Sequence, residues 1–146
     1  MSAPAMRLTR PQYVRIIAHC LDGYPYEACG MLGGPLDADL QPTGEITEVY
    51  CCRNADESGR TYTVDSRDLL AAMRGAEAAG GDVVGVFHSH THTDAWPSAT
   101  DVRQAADPRW FYVLVSLRHA DPVLRSFRIV DGEIIEVPVE VPDLDA

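Results

Sequence analysis

Apolar residues recur at helical spacing in TRPQYVRIIAHCLDG, where Tyr13, Ile16, Ile17 and Leu21 fall on one face. Pro11 near the start and Gly23 just past the end mark this stretch as a first helix. ACGMLGG is short and mostly apolar, GEITEVYCCRN is rich in β-formers and RTYTVDS alternates, so each predicts a strand. The Ala- and Leu-rich stretch SRDLLAAMRGAEAAGG predicts a second helix, capped by Asp65 or Ser66 and stopped at Gly80 and Gly81. DVVGVFHSH opens with a continuous apolar run that offers water no polar face, which predicts a buried central strand. SATDVRQAAD predicts a short third helix. WFYVLVSL, PVLRSFRIV and EIIEVPVEV predict three closing strands, the last two joined by a turn at Asp131-Gly132. The order is mixed α/β.

Composition narrows the class. A chain of 146 residues, 46% hydrophobic and 23% charged, fits one folded domain spanning 1–146, without repeats or low-complexity segments. The first residues lack the apolar core of a signal peptide, and no run reaches the roughly 18 uncharged apolar residues of a membrane helix, so no membrane partner and a cytoplasmic address are expected. Cys20, Cys29, Cys51 and Cys52 form no CxxC pair, which argues for free or buried thiols. A net charge of -10 with scattered arginines repels a phosphate backbone, so nucleic acid is not expected as a partner.

The chemistry concentrates in FHSHTHTDAWPSATD, residues 87–101, directly after the buried run. Strand alternation points His88 and His90 the same way and Ser89 the other, with the histidine Cα atoms about 7 Å apart. Two such imidazoles can converge on one zinc ion, which in a catalytic site takes three protein ligands and a water. His92 has the same parity but lies roughly 13 Å from His88 on a straight strand. Asp101 is the better third ligand, because the first turn of a helix favours an ionised carboxylate. Ser98-Ala-Thr-Asp101 also matches a capping box with Asp in place of Glu, and capping and ligation are compatible in one residue.

The pattern His88-x-His90-x7-Ser98-x2-Asp101 resembles the signature of the JAMM (MPN-domain) zinc metalloproteases, which remove ubiquitin or ubiquitin-like proteins. YPYEACGMLGG supplies Glu27 where that family carries an upstream glutamate. The resemblance spans roughly Tyr24 to Val139. It implies a single MPN domain with a curved mixed β-sheet flanked by helices, one Zn2+ per chain on His88, His90 and Asp101, Glu27 as general base and Ser98 as donor to the oxyanion. The segments EACG, HSHT, PSATD, YVLVS, LRSFRIVDG and VPV are similar to the small actinobacterial members that release cysteine from the C-terminal glycine of a ubiquitin-like sulfur-carrier protein. The implied partner is such a carrier with a Gly-Gly tail, which could add as a strand to a sheet edge; a homodimer is also implied. Two alternatives stay open: an isopeptidase acting on modified lysines, and a non-catalytic MPN scaffold that binds no stoichiometric zinc. H-x-E with P-C-x-x-C and H-E-x-x-H are both absent, which excludes zinc deaminases and zincins.

His92 and Asp94 are expected in a solvated loop, the alternatives being that they support the metal ligands or line the cleft. Trp96 packs beside the site, shapes the leaving-group pocket, or is a plain packing aromatic. His19 and His119 are expected to be ordinary core or surface residues. The polar segment NADESGRTY, residues 54–62, is expected to be a surface loop of the kind that could order over a substrate tail.

Overall fold

The structure is a computed structural model that describes residues 4–144, so the extreme ends of the expected domain lie outside it. Strand β1 (Met6–Arg7) leads into helix α1 (Arg10–Gly23). Thr9 caps α1 reciprocally: its hydroxyl accepts from the Gln12 N–H, and the Gln12 side chain accepts from the Thr9 N–H. Then follow β2 (Cys29–Gly34), β3 (Glu48–Cys52), α2 (Ser66–Ala78), β4 (Asp82–His90), α3 (Ala99–Gln104), β5 (Phe111–Ser116), β6 (Val123–Val130), β7 (Glu133–Val137) and β8 (Val139–Glu140).

The six longer strands form one mixed sheet in the order β3, β2, β4, β5, β6, β7. β4 lies inside it, antiparallel to β2 and parallel to β5, which is where its apolar run predicts it. One sheet face packs on α1 through Ile16, Cys20, Val84, Phe87, Val113 and Val115. The other packs on α2 through Met31, Ala72, Ala76, Val83 and Val86. A bulge sets which face the histidines take. Leu32 pairs with Gly85 and Gly33 with Val83, leaving Val84 as an extra residue on β4 that shifts the alternation. Val86, His88 and His90 then continue on the α2 side, while Phe87 and Ser89 face the α1 side.

Asp65 caps α2, and Gly80, at φ +85°, closes its C-terminus as Gly81 donates back to the Ala76 carbonyl. Asp131 and Gly132, at φ +50° and +79°, make the expected tight turn between β6 and β7. Cys51 joins the α1-side core and Cys52 the α2-side core, as expected for neighbours on a strand. Burial pushes the thiols of Cys20 and Cys29 up to about 12, which leaves them protonated and unreactive. Among the described residues no helix is long and apolar enough to cross a membrane.

Two expectations need correction. RTYTVDS is not a strand: it makes one isolated bridge, Asn54 to Val64, and the Thr63 N–H is satisfied by the Asn54 side chain instead of a partner strand. The final run EIIEVPVEV is broken at Pro138, which has no N–H for a ladder; beyond it β8 pairs in parallel with β1.

The β2–β4 contact depends on Gly30. A Cβ there would lie 2.2 Å from the Phe87 ring and 2.5 Å from the Tyr50 carbonyl oxygen, and the latter is backbone that cannot swing aside. Gly30→Ala is therefore expected to cost about 1–3 kcal/mol or more and to lower the melting temperature by at least ~3 °C. A thermal melt checks it; an unchanged midpoint would show that β3 can move away freely.

Candidate metal and catalytic site

The site gathers at the C-terminal end of β4. His88 and His90 are buried, and each is locked in register, His88 between Cys29 and Leu114, His90 beside Ser116. Ser89, on the opposite face, accepts from the Ala28 N–H at 2.8 Å while its own N–H donates to the Ala28 carbonyl. That clamp fixes the start of β2 and so the adjacent Glu27 against the histidine strand.

Glu27 is buried at 6% exposure. Its N–H donates to the Ser58 carbonyl at 2.7 Å, and its carbonyl accepts from Asn54 Nδ2 at 2.9 Å. Burial pushes its carboxyl up to about 7, against the pull of His90 and with the help of Asp101. One ligand atom each from Glu27, His88 and His90 lies within 4.8 Å of the others.

Asp101 closes the other side. Its carboxylate oxygens lie 3.2 Å from His88 Nε2 and 3.1 Å from His90 Nε2. The capping box forms as expected: Ser98 Oγ accepts from the Asp101 N–H, and Asp101 Oδ2 accepts from the Ser98 N–H. Burial alone would raise the Asp101 carboxyl, but the close approach of both imidazoles outweighs it and holds the group well below the usual carboxylate range. Burial dominates at His88 and lowers it, whereas at His90 the Asp101 carboxylate and the Asp94 carbonyl together overcome burial and raise it.

The donor set fits a divalent cation. His90 Nδ1 donates to the Asp94 carbonyl at 2.9 Å, which leaves the Nε2 lone pair aimed at Asp101. His88 Nε2 is buried without a hydrogen-bond partner, since the nearby Asp101 oxygen lies out of line for one. Two buried imidazole nitrogens facing a largely buried carboxylate supply the nitrogen and oxygen ligands that zinc takes, and Glu27 offers a further oxygen.

These groups open into a cleft of about 820 Å3 that Glu27, His90, Ser98 and Asp101 line, together with residues 58–62 of the polar loop. The loop is thus part of the site. Sequence reasoning also missed Tyr62, whose ring stacks on His88 with centroids 4.1 Å apart, because the surrounding alternation suggested a strand. Asp94 is not simply solvated: its side chain pairs with Arg118 and its carbonyl orients His90, a backbone role that carries no sequence signal. His92 is exposed and lines the cleft, with Nδ1 2.8 Å from the Thr91 hydroxyl. Trp96 packs edge-on against Phe127, under Arg125, and does not line the cleft. His19 Nε2 bridges the carbonyls of Cys29 and Cys52, a structural role.

The family model for prokaryotic homologs of the JAB domain matches residues 9–130. The chain is 44% identical over 129 residues to a CysO-cysteine peptidase of Mycobacterium tuberculosis, covering 86% of this chain and 84% of the relative. It is 31% identical over 121 residues to a desampylase of Haloferax volcanii, covering 80% and 84%. A protein of Desulfitobacterium hafniense with a solution structure superposes with a TM-score of 0.79 at 33% identity, over 97% of this chain and 98% of that one.

Proposed function

The chain belongs to the prokaryotic JAB-domain family and is a hydrolase, and from that premise we propose that it cleaves the amide at the C-terminal glycine of a ubiquitin-like sulfur-carrier protein, releasing cysteine. The observation that carries the chemistry is the orphaned His88 Nε2 facing Asp101 beside His90, next to a glutamate whose carboxyl burial has moved to about 7. The 44% likeness to a CysO-cysteine peptidase carries the choice of substrate.

His88, His90 and Asp101 would hold one zinc ion. When bound, zinc supplies Lewis acidity, which polarises a carbonyl and lowers the pKa of a water from 15.7 to about 7. Glu27, poised near neutrality, takes the proton from the attacking water and passes it to the departing amine. Ser98 Oγ already accepts from the Asp101 N–H, so its own proton is free to be donated to the oxyanion of the tetrahedral intermediate. Ser98→Ala is expected to lower turnover about 10²–10³-fold with metal retained. It also removes the cap of α3, at a cost of about 1 kcal/mol. Undiminished turnover would leave Ser98 only the capping role.

The desampylase likeness supports a second reading, release of a ubiquitin-like modifier from lysine. Intact-mass spectrometry separates the two. A ubiquitin-like carrier bearing a C-terminal cysteine, and the same carrier joined to a lysine ε-amine, are each incubated with the zinc enzyme and with chelator. Chelator-sensitive loss of cysteine is expected, with the lysine adduct left intact; the reverse result would replace the first reading with the second.

A further inference from the structure

The segment that walls the cleft beside Glu27 presents one guanidinium. Among the described residues that line the cleft, Arg60 is the only arginine or lysine. Its backbone is held from several sides. The Ser58 carbonyl accepts from the Glu27 N–H, the Gly59 carbonyl from the Thr91 hydroxyl at 3.2 Å, and the Thr61 carbonyl from Asn54 Nδ2 at 3.0 Å. The Arg60 N–H itself donates to Ser58 Oγ. Position 60 is thereby tied both to the glutamate and to the end of the histidine strand.

The side chain, by contrast, is uncommitted. Arg60 is exposed and takes part in no ion pair among the described residues, although Asp and Glu outnumber Lys and Arg 22 to 12. The cleft lining also holds two carboxyl groups, Glu27 and Asp101, and two imidazoles, His90 and His92; an arginine left free among them is placed to meet an anion brought by the substrate.

The position of the leaving group says which anion. Glu27 hands its proton to the departing amine, so that nitrogen must sit beside Glu27 and therefore beside the loop bonded to it. In an α-amino acid the carboxylate is two bonds from that nitrogen. On a lysine ε-amine the nearest backbone carbonyl is far down the side chain and uncharged within a protein. We infer that Arg60 binds the free α-carboxylate of the amino acid being released, a planar anion that matches the guanidinium fork, and so selects carrier–amino acid adducts over lysine isopeptides.

This inference rests on the amide-hydrolase reading above, and its test separates the two. Zinc-loaded wild type, Arg60→Ala and Arg60→Lys are compared on one carrier ending either in glycyl-cysteine with a free carboxylate or in the corresponding carboxamide. Intact mass gives kcat/KM for each. Wild type is expected to favour the carboxylate by about 10- to 100-fold, the worth of a hydrogen-bonded charge pair. Arg60→Ala is expected to cleave both substrates at the rate wild type shows on the carboxamide, and Arg60→Lys to recover part of the preference. Because Arg60 is exposed and holds no structural partner, zinc content and melting temperature should match wild type. Equal wild-type rates on the two substrates would overturn the role of Arg60 and leave the hydrolase reading standing, as would an Arg60→Ala loss shared by both substrates. Cleavage of neither by wild type would sink the reading of the substrate and the inference together.

Discussion

Glu27→Gln is expected to lower turnover about 10²–10⁴-fold while stoichiometric zinc stays bound. The substitution is nearly isosteric and keeps the backbone bonds to Ser58 and Asn54, so the loop should not move. What it removes is the group that can take and return a proton. Metal analysis of the same preparation makes the result decisive, because Glu27 also offers an oxygen within ligand range of both histidines. Inactive protein with full zinc assigns it as the base; inactive protein without zinc makes it a ligand instead.

The same substitution carries a stability prediction of opposite sign. Burial raises the Glu27 carboxyl from 4.5 to about 7, so the folded state binds its proton more tightly than the unfolded chain does. Stability from this group is full below 4.5 and is lost as pH rises through about 7. Metal-free Glu27→Gln is therefore expected to melt above metal-free wild type at pH 8, with the gap closing toward pH 4. A lower melting point at pH 8 would show that His90 gains more from the carboxylate than burial costs. A fold that tolerates a destabilised carboxylate at its cleft carries the mark of a site shaped for chemistry.

The parts of this site that were legible in the sequence obey short-range rules. His88 and His90 share a face because alternation over three residues is fixed by strand geometry, and Ser98 and Asp101 meet because a capping box spans one helical turn. Glu27 was not legible from its own surroundings, and only the resemblance to a family placed it. The loop failed for a different reason. Tyr62 stacks on His88, Asn54 holds Glu27 and Gly59 takes the Thr91 hydroxyl, all contacts between segments far apart in the chain. Local alternation in RTYTVDS could not report them. The Val84 bulge and the β1–β8 pairing escaped likewise, since each is set by the partner strand and not by the residues that form it.

Asp101→Asn tests whether the third ligand is the capping aspartate. Asn retains an oxygen that can accept from the Ser98 N–H, and Ser98 Oγ still accepts from the backbone at position 101, so α3 should keep its cap. The change then isolates the negative charge. In wild type that charge faces two imidazole nitrogens, one of them without any other partner, and a neutral amide would meet the same nitrogens with far less attraction for a cation. Zinc affinity is expected to fall by more than the ~10–100-fold typical of losing a residue that merely orients a ligand. Dialysis against a competing chelator followed by metal analysis reads this directly. Zinc retained at wild-type affinity would move the third ligand to Glu27, since His92 is exposed and turned toward Thr91 and Tyr24. The two substitutions thus form one argument: if the roles are as proposed, Glu27→Gln separates turnover from metal, and Asp101→Asn loses both together.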